Sequence, residues 1–308
     1  MARVRIMARP PPYVIPDSET LNTLTLFAGC VAIWGTTWLA ITYQLGSVAP
    51  EASVSYRFLL AAALLTAFCK LRGLPMRYRA GEHAALALLG AFMYSIGYIF
   101  VYHAETHVAS GLVAIAYSAG PLLAMFGMRI VFGQAMTARM GLGSVLGIIG
   151  IVLVFWPEFG RAAHGGNVDL GALFTVLAVL VTTVGSLIAH RNHEHKLVGW
   201  PTMAWSMGYG GLLTLAVALA LGRPLTMDWS PAYLISLGYL TLFGSILAFA
   251  GFLTLLGRIG PARASYIGVM VPIVALVISS IFESFVWQPL TFAGVAISVA
   301  GNVLVLRK

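Results

Sequence analysis

The sequence predicts an all-α integral membrane protein with ten transmembrane helices arranged as two inverted five-helix repeats. Composition, the spacing of apolar runs and matches at a constant offset carry that prediction. Of 308 residues, 59% are hydrophobic and 9% charged, with a mean hydropathy of +0.90; an ordinary soluble domain is about 25% charged. A bilayer-spanning helix needs about 20 apolar residues. Breaking the chain at charges, prolines and polar clusters gives runs at 24–44, 52–69, 83–103, 107–131 and 139–156, then 169–189, 200–220, 231–254, 262–281 and 288–306. The formal net charge of +8 includes no long Lys/Arg run, so it orients the chain in a bilayer rather than marking a nucleic-acid partner.

The first run follows a tail, 1–23, that holds Arg3, Arg5, Arg9 and Pro10 to Pro12. That run is about 20 residues long and lacks a small-residue cleavage site, which disfavours a cleaved signal peptide. Arg57 interrupts the second run, and His103, Glu105, Thr106 and His107 separate the third from the fourth. Gly143, Gly147 and Gly150 give the fifth run a close-packing face of GxxxG type, suited to scaffold or dimer contact. Residues 157–168 form an outer loop, 24–156 and 169–306 the two repeats, and 307–308 a cytoplasmic end.

With the N-terminus inside, fifteen of the eighteen Lys and Arg residues fall on the cytoplasmic side; only Arg161 and Arg223 lie outside, and Arg57 is within a span. Positively charged loops stay cytoplasmic, so nine or eleven spans would spoil this distribution. Gly150 to Val154 matches Gly301 to Val305 in four of five positions, an offset of 151 residues that Gly143 and Gly294, and Pro121 and Pro272, also keep. Five is odd, so a second five-span repeat enters the membrane in the opposite sense. Inverted repeats are a device of secondary transporters, with substrate sites near the midplane where the repeats meet.

Pro121 and Pro272 lie inside the fourth and ninth runs. Proline removes a backbone donor, and matched interruptions in two halves point to a hinge or a binding site, packing being the alternative. Around them stand Thr37 and Trp38 in the first run, Tyr94, Tyr98 and Tyr102 at helical spacing in the third, and Tyr117 and Ser118 in the fourth. The second half offers Thr182, Thr183 and Ser186, then Phe243, Ser245 and Phe249, then Ser265 and Tyr266. Aromatic faces beside hydroxyls suit a ligand with a flat apolar body and a few polar handles. Interfacial belts also use Tyr and Trp, and Tyr102 and Trp34 fit that reading as well. Arg57, near the outer end of the second run and about one helical turn beyond Glu51 and Ser53, either holds a substrate carboxylate or pairs with a local carboxylate or carbonyl.

Several chemistries find no support. The ten acidic residues all fall in tails, loops or span ends, Glu283 being the nearest to an exception, so a mid-membrane carboxylate relay is not expected. Cys30 and Cys69 have no metal-ligand spacing and do not read as a disulfide framework. His103, Glu105 and His107, and His190, His193, Glu194 and His195, read as solvated loops without an HExxH pattern. With no Walker loop, dinucleotide fingerprint or GxSxG elbow, the sequence implies no catalytic residue, metal or cofactor.

The Trp-rich first run (Ala32 to Trp38), Tyr56-Arg57-Phe58 in the second and the Gly-rich fifth and tenth runs together resemble the EamA-type branch of the drug/metabolite transporter superfamily. Within it the chain is most similar to YddG-type exporters of aromatic amino acids. The resemblance spans nearly the whole chain. It implies a ten-helix basket in the bacterial inner membrane, a central cavity between the repeats, and export by alternating access; the Lys/Arg distribution places both termini in the cytoplasm. Many relatives carry a Gly-Glu pair after the fourth and ninth helices. Here Gly133-Gln134 and Phe282-Glu283 stand there, which removes the first-half carboxylate. The expected partners are a small-molecule substrate and the lipid bilayer, as a monomer or loose dimer. Phosphorylated cargo is a rival that lacks a second mid-span cation, and a lipid-modifying enzyme is a rival that lacks an acid/base or nucleophile set.

Overall fold

The computed structural model describes residues 23–162, 167–264 and 266–306. The expected N-terminal tail up to residue 22, residues 163–166 of the expected outer loop, Ser265 and residues 307–308 lie outside the described residues, as do the side chains of Arg161 and Arg263.

Every regular element among the described residues is helical. We number them α1 (Thr23–Thr42), α2 (Pro50–Leu71), α3 (Ala80–Glu105), α4 (Ser110–Phe132), α5 (Ala138–Ala162), α6 (Val168–Glu194), α7 (Trp200–Ala220), α8 (Pro231–Leu255, its helix continuing to Ala264), α9 (Ile267–Phe282) and α10 (Pro289–Leu306). Eight of these, α1 to α8, are long and apolar enough to cross a membrane, while α9 and α10 are shorter apolar helices. Local chemistry sets several boundaries. Proline fills the first turn of α2, α7 and α8, where its missing N–H costs nothing. Ser230 caps α8 by accepting the Tyr233 N–H at 3.3 Å. Gly133 ends α4 at φ +67°, a left-handed turn that suits a residue without Cβ.

Helix α4 is two pieces, Ser110–Tyr117 and Gly120–Phe132, with Pro121 in the first turn of the second. Pro272 instead lies inside the uninterrupted α9. Two helices carry wider π-turns, α3 at Phe92–Ile96 and α8 at Leu240–Leu247. Such turns are rare and concentrate at functional sites. Shifting the first by 151 residues places it at 243–247, inside the second; Ala80 and Pro231 open α3 and α8 at the same offset, as Ala138 and Pro289 open α5 and α10.

Helices α5 and α10 pack most extensively, and glycine makes their approach possible. A Cβ built on Gly143 would sit 2.7 Å from the Gly301 carbonyl oxygen, and one on Gly150 would sit 2.5 Å from that of Gly294. Early residues of one helix thus meet late residues of the other, so the two run antiparallel. Since Gly143 corresponds to Gly294 and Gly150 to Gly301 at the 151-residue offset, each glycine meets its counterpart's partner, the reciprocity of a local two-fold axis. Helices α2 and α7 cross antiparallel too, with the Ser55 hydroxyl donating to Gly211 O at 3.1 Å and Ala62 against Gly208. The halves also interleave: α1 packs on α8 and α9, with Gly35 against Val274, and α6 packs on α3 and α4, with Leu187 against Gly127.

Candidate substrate site between the halves

The π-turns bring residues of the two halves together. In α8 the Ser245 hydroxyl donates to Leu240 O, five residues back, at 2.9 Å, while Gly244 O accepts the Trp34 indole N–H of α1 at 3.1 Å. Gly244 lets neighbours close in: a Cβ there would lie 2.8 Å from the Thr37 methyl and 3.4 Å from Arg57 Nη2. Arg57, 2% exposed, donates from Nε to Ser245 Oγ at 3.1 Å. Its guanidinium carbon stands 4.8 Å from the Tyr98 ring centre and 5.1 Å from that of Phe58, within cation–π range.

From there a row of rings crosses the boundary between halves. Phe58 lies 4.9 Å from Tyr98 and 5.4 Å from Tyr94; Tyr94 lies 6.1 Å from Phe249; Phe249 lies 5.2 Å from Trp34. Trp38 and Tyr117 form a further edge-on pair at 5.0 Å. Phe58 and Tyr94 are buried, whereas Tyr98, Phe249, Trp38 and Tyr117 keep some exposure. Ser118, at the break in α4, donates to Ile115 O at 2.6 Å and lies 3.2 Å from the Ser298 hydroxyl of α10. The Tyr117 hydroxyl is buried outside hydrogen-bond geometry, with Thr182 as a polar neighbour.

Trp38, Thr37, Tyr94, Tyr98, Tyr117, Ser245 and Phe249 thus converge, and Ser118 adjoins them. Phe243 is exposed and stacks on Tyr239 at 5.3 Å, away from the row. Ser186 is exposed and returns its hydroxyl to Thr182 O at 3.0 Å, as Thr182 and Thr183 do to the turns before them. Tyr266 directly precedes α9 as its N-cap residue. The structure adds Arg57, Phe58 and Trp34 to this neighbourhood.

Polar bonds gather at the end of the bundle where α2 begins and α3 ends. Glu51 accepts from or bonds to His103 Nε2 at 2.9 Å and lies 3.7 Å from Arg223 Nε, tying α2 and α3 to the segment after α7. Glu51 is thus engaged with His103 and Arg223 and not with Arg57. Tyr102 is fully buried, as a packing residue is and an interfacial belt residue is not, and donates to Gln44 Oε1 at 2.7 Å. Glu105, read as a loop residue, closes α3 at 7% exposure with neither oxygen hydrogen-bonded. Glu283 accepts from Ser110 N at 3.0 Å, from the Ser110 hydroxyl at 2.5 Å, and from the Ser279 hydroxyl. In the connection before α8, the Ser47 hydroxyl and then the Ser230 N–H hold the Asp228 carboxyl below the usual carboxylate range.

A helical bundle whose two halves jointly frame a ring-lined polar site has the organisation of a membrane transporter. The EamA-like transporter family model matches residues 21–156 and 169–307, once on each half, and the chain belongs to that family. It is 29% identical over 267 residues to "Uncharacterized inner membrane transporter YedA" of Escherichia coli K12, covering 83% of this chain and 82% of that protein. It is 25% identical over 291 residues to an "Uncharacterized transporter" of Archaeoglobus fulgidus, covering 90% and 96%. PecM of Dickeya dadantii is 25% identical over 263 residues, 85% of this chain and 84% of that protein. A solved crystal structure superposes with a TM-score of 0.65 at 15% identity, over 92% of this chain and 96% of the other, and shares the fold.

Proposed function

We propose that this protein exports small metabolites, aromatic amino acids and flat aromatic compounds foremost, by alternating access between two inverted five-helix repeats at 24–156 and 169–306. In this reading α9 and α10 also span, giving ten crossings of the inner membrane with both termini cytoplasmic. The row Tyr98, Phe58, Tyr94, Phe249 carries the proposal, because it draws stacking faces from both halves to both π-turns. Rocking of one half on the other would open such a row to each side in turn. The antiparallel, reciprocal α5–α10 seam supports the inversion.

Efflux from liposomes holding the purified protein tests the cargo: Phe, Tyr and Trp should leave faster than Leu, Val or Thr, and equal rates across the panel would remove the aromatic assignment. Topology is tested separately by labelling single cysteines. Gly73 and Gly222 are unsuited as probes because both sit at φ +63°. Exposed neighbours serve instead: Leu225→Cys should react with an impermeant maleimide from outside and Pro75→Cys only after permeabilisation. Labelling of both from one side would refute the ten-span arrangement.

A further inference from the structure

Arg57 is a buried cation whose bonding is incomplete. It lies in the third turn of α2 at 2% exposure, and Nη1 is buried without a hydrogen-bond partner. Its observed partners are the Ser245 and Tyr102 hydroxyls and the faces of Tyr98 and Phe58, all neutral, and Nη1 is left over. A guanidinium withdrawn from water is costly unless an anion or a full set of acceptors compensates it. The acids near it supply neither. Glu51 turns to His103 and Arg223. Glu105 acts on Arg57 only at a distance, both of its oxygens being without partners. The planar guanidinium fork matches a carboxylate with two parallel N–H donors, and Ser245, held by its own bond to Leu240 O, fixes the orientation of the fork through Nε.

We infer that Arg57 is the carboxylate-binding residue of this site, so that cargo is taken as an aromatic carboxylate held by charge at one end and by the ring row at the other. The inference rests on the transport reading above and narrows it: among aromatic molecules, those with a carboxylate are selected. It also assigns the buried arginine to recognition rather than to helix packing.

Competition for binding of labelled tryptophan to the purified protein tests this with tryptophan and two analogues that each lack one of its two charged groups. Tryptophan and indole-3-propionate both carry a carboxylate, whereas tryptamine lacks it. The wild-type protein should bind the first two at least about thirtyfold more tightly than tryptamine, the effect expected from leaving one partner of a buried charge pair unmatched. Arg57→Gln should bring all three to within about threefold of one another, and Arg57→Lys should restore part of the preference. Tryptamine competing as well as tryptophan in the wild type overturns the inference, as does an undiminished preference in Arg57→Gln. If Arg57→Gln does not fold, the wild-type comparison decides the question alone. Labelled leucine separates this inference from the cargo proposal. Leucine binding that needs Arg57, with no advantage for tryptophan, sinks the aromatic assignment and keeps the carboxylate site; tight binding of aromatics regardless of carboxylate does the reverse. A wild-type protein that binds no carboxylate at all overturns the inference.

Discussion

Gly150→Leu should prevent stable folding. A Cβ at this position would lie 2.5 Å from Gly294 O and against the backbone of Ser298, so what it meets is the α10 main chain and not a flexible side-chain end. The helices would have to separate, and α5–α10 is the most extensive seam in the molecule. Overpacking against a side chain costs about 1–3 kcal/mol; four added carbons against backbone should exceed about 3 kcal/mol. Gly294→Leu should do the same from the other side of the local two-fold. Gly29→Ala, which meets nothing within 4 Å, should leave stability unchanged. Thermal unfolding and size-exclusion profiles in detergent would read the difference. A Gly150→Leu protein that elutes and melts like the wild type would contradict the close seam.

The helices were legible in the sequence because length and apolarity are local properties, and the glycine matches at 151 residues identified the seam helices. That Gly143 would meet Gly301 instead of its own counterpart was not legible, since it depends on how the helices cross. Matched prolines suggested matched interruptions, yet Pro121 occupies a helix start, where it is tolerated, and Pro272 sits within a helix that continues around it. Arg57 and Glu51 are six residues apart, which places them about 120° apart around a helix, so the nearest carboxylate along the chain faces another direction. The same geometry separates Phe243 from Ser245, two residues on, while Ser245 and Phe249, four apart, share a face. Neither π-turn has a composition signal. The contact between Arg57 and Ser245, 188 residues apart, was accordingly out of reach although both residues stood out.

Tyr98→Ala should cost aromatic transport about tenfold more than threonine transport, while Tyr98→Phe should keep most of the preference. The Tyr98 ring stands edge-on to Phe58 at 4.9 Å, lies 4.8 Å from the Arg57 guanidinium carbon, and retains some exposure where Phe58 and Tyr94 are buried. It is therefore the member of the row best placed to meet cargo. One ring contact is worth about 0.5–1.5 kcal/mol beyond area burial, and 1.4 kcal/mol is tenfold. A threonine side chain offers no ring to stack, so it should lose only what changed packing takes from every cargo. Equal losses for phenylalanine and threonine would remove Tyr98 from the binding surface. Run with the pH gradient collapsed, the same assay separates facilitation from coupling, because flux through a facilitator follows the substrate gradient alone. Accumulation against that gradient, driven by an imposed pH difference, would require a proton-carrying group. The structure directs that search to Glu105, which ends α3 buried with neither oxygen bonded and within electrostatic reach of both Arg57 and Glu283. In that case Glu105→Gln should abolish pH-driven accumulation and spare downhill exchange, whereas a facilitator should show no accumulation for either change to affect.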